Sequence, residues 1–201
     1  MLIGVDFDNT IVCYDGLFHR VAVEQGLIPL EVPVSKGQVR DYLRQCGKED
    51  AWTQMQGYVY GDRMKEAEPF PGVLEFFTRC VQDGVKICIV SHKTRHPYIG
   101  PKYDLHAAAR GWLENQGFFD PDRINLSPDQ VYFELTKQEK LERIGKNGCS
   151  EFIDDLPEFL GEANFPAGVD RILFDPQNHH LSGHPFRRAS SWAEIEQLIP
   201  C

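Results

Sequence analysis

Two carboxylates one residue apart close the first apolar run of the chain, Leu2-Ile3-Gly4-Val5-Asp6-Phe7-Asp8-Asn9-Thr10. Alternate side chains of a strand share a face, so a strand persisting to Asp8 would aim both acids at one site. A chain that loops away after Asp6 would still leave them at the strand's carboxyl end, where open α/β sheets place their chemistry. Such a pair suits a division of labour in which one acid stays ionised and the other carries a proton. Asp8-Asn9-Thr10 also has the composition of a polar turn, and Asn9 and Thr10 are candidate substrate contacts beside the acids.

Three more polar clusters follow apolar stretches. Ser91 closes Ile89-Val90, and His92, Lys93, Arg95 and His96 come next, with His92 and Lys93 as candidates for a substrate entrance. Asp154-Asp155 closes Phe152-Ile153, and Leu156-Pro157-Glu158 after it has the form of a helix start that these acids could cap. Thr136-Lys137-Gln138-Glu139 fits a capping box, and Leu141 and Ile144 continue a buried stripe. Lys137 then opposes the helix dipole, a hint of a task beyond folding. Lys140, one turn on, competes for that task, and first-turn placement favours Lys137. His179, His180 and His184 read as loop histidines rather than a metal site.

The elements that must position these residues alternate between short β-rich runs and helical patterns, which predicts a doubly wound, mostly parallel, Rossmann-like sheet. Strands are expected at 2–7, 86–91, 151–154 and 171–174, and more weakly at 131–133. Between Tyr14 and Pro69 the pattern is helical, broken at Gly26, Pro29 and Pro33. This predicts a small helical insert over 15–69 and a core made of 1–14 and 70–201. Pro71 is expected in the first turn of a helix that buries Val73, Leu74, Phe76, Phe77 and Cys80. Trp112 and Trp192 read as packing residues, and Trp52 and Tyr58 as candidates for substrate contact in the insert.

The chain has 201 residues and a formal net charge of -9. That balance argues against a nucleic-acid partner or a membrane surface, which call for a basic footprint. It leaves room for a small anionic substrate beside a bound cation. Apolar runs fall short of membrane-spanning length, and the first residues resemble a strand rather than a signal peptide. The six cysteines form no CxxC pair, which points to reduced, partly buried thiols and a cytoplasmic setting.

Taken in order, Asp6-Phe7-Asp8-Asn9-Thr10, Ser91, Lys137 and Asp154-Asp155 resemble the motifs of the haloacid dehalogenase-like superfamily, and the insert resembles that family's cap between its first and second motifs. The resemblance implies that Asp6 attacks phosphorus to form an aspartyl-phosphate. Asp8 would protonate the leaving alcohol and then deprotonate water. Ser91 would bind a phosphate oxygen and Lys137 would neutralise charge. It also implies Mg²⁺ held by Asp6, the main-chain carbonyl of Asp8 and the Asp154-Asp155 pair, with Asp155 favoured as direct ligand. Two unit charges about 4 Å apart repel by roughly 4 kcal/mol at an effective dielectric of 20, so clustered acids and a phosphate demand such a cation. The expected activity is Mg²⁺-dependent hydrolysis of a small phosphorylated metabolite. A phosphotransferase or mutase using the same intermediate, and a non-catalytic phosphometabolite sensor, are the alternatives.

Overall fold

The computed structural model describes residues 1–180, 183 and 185–199. Its contacts divide the chain into two compact units, one of Met1–Val12, Pro69–Lys93 and Gly117–Cys201, the other of Cys13–Glu68 and Thr94–Gln116. In chain order the elements are β1 (Leu2–Val5), β2 (Val12–Cys13), α1 (Asp15–Glu24), α2 (Lys36–Gln45), α3 (Glu49–Tyr60), β3 (Glu68–Pro69), α4 (Val73–Gln82), β4 (Lys86–His92), α5 (Leu105–Asn115), β5 (Val131–Glu134), α6 (Lys137–Asn147), β6 (Glu151–Asp154), α7 (Pro157–Leu160), β7 (Asp170–Phe174), β8 (Arg187–Ala189) and α8 (Trp192–Leu198).

The first unit is built on a six-stranded sheet of order β5-β4-β1-β6-β7-β8, parallel at every pairing. Ile87-Cys88-Ile89-Val90 of β4 is buried throughout, the continuous apolar run of a strand covered on both faces. Cys88 and Val90 meet Leu141 and Ile144 of α6 together with Phe152 and Phe159 in one cluster. Elsewhere in this unit Trp192 of α8 packs on Phe76 of α4, with ring centroids 5.1 Å apart, and on Phe174 of β7 at 5.7 Å. A parallel sheet of this kind delivers the carboxyl ends of β1, β4, β5 and β6 to one edge.

Gly4 lies in the middle of β1, paired with Cys88 and Phe152. A Cβ there would come within 2.6 Å of the Phe152 ring and 2.9 Å of the Cys149 sulfur. Gly4→Val is therefore expected to lower stability by about 1–3 kcal/mol through overpacking, read as a shift in the urea midpoint with an unchanged slope.

Three expectations need correction. β8 escapes the sequence because Arg187-Arg188-Ala189 carries no apolar run; it is a charged edge strand, and Arg187 pairs with Glu151. Pro71 precedes α4 rather than entering it, and Gly72 caps the helix at φ 88°, a left-handed conformation suited to glycine. The segment 94–116, expected in the core, packs within the second unit: α5 buries Leu105, Ala109, Trp112 and Leu113, and the Trp112 indole N–H donates to the Ala67 carbonyl at 2.8 Å.

The second unit is otherwise helical. Trp52, expected at a substrate, is buried and packs on Phe18 with centroids 5.0 Å apart, so its surface is spent on the unit's own core. Tyr58 lies against Tyr103 at 6.5 Å. Cys80, Cys88 and Cys149 are buried, Cys46 is exposed, and Cys201 lies outside the described residues. Among the described residues no helix is long and apolar enough to cross a membrane.

Candidate active site

β1 ends at Val5, and its pairing is prolonged by one bond, from the Asp6 N–H to the Ile153 carbonyl at 2.9 Å. The chain then turns: the Ile11 and Val12 N–H groups both donate to the Phe7 carbonyl at 3.1 Å, and Asn9 adopts φ 60°. Asparagine tolerates that left-handed geometry better than most side chains. Of the two routes open to the sequence, the chain takes the loop, and Asp6 and Asp8 still line one cavity of about 90 Å³. Asn9, Ser91, His92, Lys137, Lys140, Asp155, Leu156 and Phe159 complete its wall, all from the first unit.

Asp6 is nearly buried and accepts two hydrogen bonds on the same oxygen, Oδ1: from Ser91 Oγ at 2.9 Å and from Lys140 Nζ at 2.5 Å. Lys140 Nζ also donates to Asp154 Oδ2 at 2.6 Å and lies 4.2 Å from the centroid of the Phe159 ring. Burial alone would push the Lys140 ammonium down, but Asp154 and Asp6 outweigh it and hold its pKa above the ordinary lysine range. Asp154 is fully buried, and that burial raises its pKa against the opposing charge of Lys140. Its Oδ1 accepts the Leu156 N–H at 2.9 Å in an Asx turn just before Pro157 opens α7; the N-cap position is Leu156, without a side-chain cap bond, so Asp154 closes the turn rather than capping the helix.

The capping box that starts α6 is present in both directions, with Glu139 N–H to Thr136 Oγ1 at 3.1 Å and Thr136 N–H to Glu139 Oε2 at 2.9 Å. It fixes Lys137 at the first helical position and Lys140 at the fourth. Helical side chains lean toward the amino terminus, so Lys140 reaches back over the strand ends while Lys137 extends past them. Lys137 is exposed and touches the cavity wall, whereas Lys140 holds Asp6. The preference for Lys137 as partner of Asp6 is thereby overturned. The sequence did contain the signal: Lys140 sits beside Leu141 and four residues before Ile144, a charged residue on an apolar stripe.

Other expected contacts divide. His92 lines the cavity, and its ring Nε2 lies 3.1 Å from the Leu135 carbonyl. Burial depresses its pKa, and the charges of Lys140 and Lys137 reinforce this against the Leu135 carbonyl. Lys93 does not reach the cavity wall; its buried ammonium binds both oxygens of Asp8, at 2.9 and 2.7 Å. Thr10 is fully buried and does not line that wall, and its carbonyl accepts the Trp192 indole N–H at 3.2 Å. His184 lies outside the described residues, and the main-chain N–H groups of His179 and His180 both donate to Asp175 at 2.9 Å.

Asp6, Asp154 and Asp155 each offer a carboxylate oxygen, and these atoms lie within 4.8 Å of one another. A set made only of hard oxygen donors fits Mg²⁺ rather than a softer ion. Asp155 lines the cavity, whereas both Asp154 oxygens are engaged, by Lys140 and by the Leu156 N–H. Asp155 is therefore the better placed to meet a cation directly, and Asp154 to orient Lys140 behind it.

No protein-family model and no curated protein matches the sequence. Solved structures do match it along nearly all its length. A HAD family hydrolase from Deinococcus radiodurans R1 with bound phosphate and sodium is 18% identical at a TM-score of 0.59, covering 98% of this chain and 93% of its own. A HAD-hydrolase from Bacillus subtilis bound to magnesium is 14% identical at 0.57, covering 100% and 98%. A dehalogenase is 12% identical, also at 0.57, covering 100% and 97%. These likenesses are of fold: the chain, with its parallel six-stranded sheet, has the fold of the haloacid dehalogenase-like hydrolases.

Proposed function

We propose that the protein is a Mg²⁺-dependent phosphatase that hydrolyses small phosphate monoesters through an aspartyl-phosphate on Asp6. The observation that carries this reading is the paired loading of one Asp6 oxygen by Ser91 and Lys140 inside the cavity that Asp8 and Asp155 also line. Two donors on Oδ1 fix the carboxylate's rotation and leave Oδ2 as the attacking atom. Asp6 Oδ2 bonds to phosphorus as the ester P–O bond breaks, and a proton on Asp8 passes to the departing alcohol oxygen. Asp8, now a carboxylate, takes a proton from water; that water's oxygen attacks phosphorus and Asp6 is released. Bound between Asp6, Asp155 and the main-chain carbonyl of Asp8, Mg²⁺ would supply electrostatic stabilisation of the phosphoryl charge. Lys140 sets a positive charge against Asp6, and exposed Lys137 offers a second one to the substrate's phosphate.

The presence of Asp8 favours phosphoryl transfer over dehalogenation, because a halide leaves without a proton and an alcohol does not. One of the similar solved structures holds phosphate and another magnesium, which supports the same reading. The test is a panel of phosphate monoesters assayed with Mg²⁺. Hydrolysis is expected, is lost on chelation and returns when Mg²⁺ is restored in excess. Release of halide from a haloacid without phosphatase activity would replace this reading.

A further inference from the structure

Buried lysines are costly unless paired, and Lys93 is among the most deeply buried charged groups of the chain, with a side chain only 3% exposed. It is clamped from three sides. Its main-chain N–H donates to the Glu134 carbonyl at 2.8 Å, continuing the β4–β5 pairing. Its ammonium lies 5.4 Å from the Phe7 ring centroid. The same Nζ bonds both Asp8 oxygens, and the Asp8 side chain is 21% exposed on the cavity. Asp8 sits in a loop beyond the end of β1, so the strand itself does not fix its rotation.

We infer that Lys93 is a positioning residue for Asp8: its bond to one carboxyl oxygen holds the side chain in one orientation over the cavity while the other oxygen carries the proton to the leaving-group oxygen. This rests on the proposed phosphatase reading, in which Asp8 handles that proton. Lys93 does not line the cavity itself, and its ammonium is joined to it through Asp8. Its position two residues after Ser91 ties this restraint to the end of β4, whose Ser91 hydroxyl donates to Asp6.

Leaving-group dependence exposes this role. An alkyl phosphate needs its departing oxygen protonated; p-nitrophenyl phosphate leaves as a stable anion and needs little help. With Mg²⁺ present, Lys93→Met is expected to lower kcat for a simple alkyl phosphate by about 10- to 100-fold, within the range general acid catalysis supplies. For p-nitrophenyl phosphate the loss is expected to stay below about threefold, and KM for both esters to hold. Asp8→Asn should show the same selectivity, and adding Lys93→Met to it should cost nothing more, because the restraint then has no acid to hold. Lys93→Gln, which keeps a donor facing Asp8, should fall between and serves if the methionine variant does not fold. Equal loss for both esters, or no loss for either, in a folded variant overturns the inference. Asp8→Asn without leaving-group selectivity instead overturns the phosphatase reading beneath it, and the inference with it.

Discussion

Asp6→Asn is expected to lower turnover of any phosphate ester by at least about 10³-fold while leaving the fold intact. The amide is nearly the size of the carboxylate, so its oxygen can still accept the Ser91 hydroxyl now 2.9 Å from Oδ1. Lys140 keeps its other partner, Asp154, at 2.6 Å, so the buried ammonium is not stranded. What disappears is the charged oxygen that attacks phosphorus, and no neighbouring group replaces it. The check is kcat beside a thermal melt. A folded variant with more than a few per cent of the original rate would remove Asp6 from its role.

The two lysines of α6 should separate sharply. Lys140→Met takes away the ammonium that joins Asp6 to Asp154 and leaves two buried carboxylates facing each other. Breaking a buried pair from one side costs about 3–5 kcal/mol, and the loss of charge beside the nucleophile should lower kcat by about 10²–10³-fold. Lys137→Met removes an exposed charge from the cavity wall. It should leave stability within about 0.5 kcal/mol and raise KM by no more than about tenfold, with kcat nearly unchanged. Denaturation curves and steady-state kinetics on both variants decide it. A catalytic collapse in Lys137→Met with a near-normal Lys140→Met would reverse the assignment drawn from the geometry.

These expectations show which parts of the molecule were legible in the sequence. Fully buried parallel strands announce themselves: Ile87-Cys88-Ile89-Val90 and Phe152-Ile153 are apolar on both sides because both faces of the sheet are covered. The capping box at Thr136 was legible because caps are local, written in residues three or four apart. Side-chain reach was less so. Choosing between Lys137 and Lys140 needed the helix direction as well as the start, and the apolar stripe that carries Lys140 was the better guide. The pairing of Lys93 with Asp8 joins residues 85 apart in the chain, and a buried lysine after a strand looks in sequence like any polar loop. The place of 94–116 was hidden for the same reason: the stripe of Leu105, Ala109, Trp112 and Leu113 shows that α5 is covered on one face, but not by what. The charged edge strand β8 has no apolar signature at all.

The central claim is a covalent bond between Asp6 and phosphorus, and trapping that bond tests it most directly. The enzyme, turning over a phosphate ester with Mg²⁺, is quenched and reduced with borohydride, which converts an aspartyl-phosphate to homoserine. Peptide mass spectrometry is predicted to find homoserine at position 6, dependent on substrate and absent from Asp6→Asn. Steady hydrolysis with position 6 unaltered, or with the reduced residue at Asp8, Asp154 or Asp155 instead, would contradict the account.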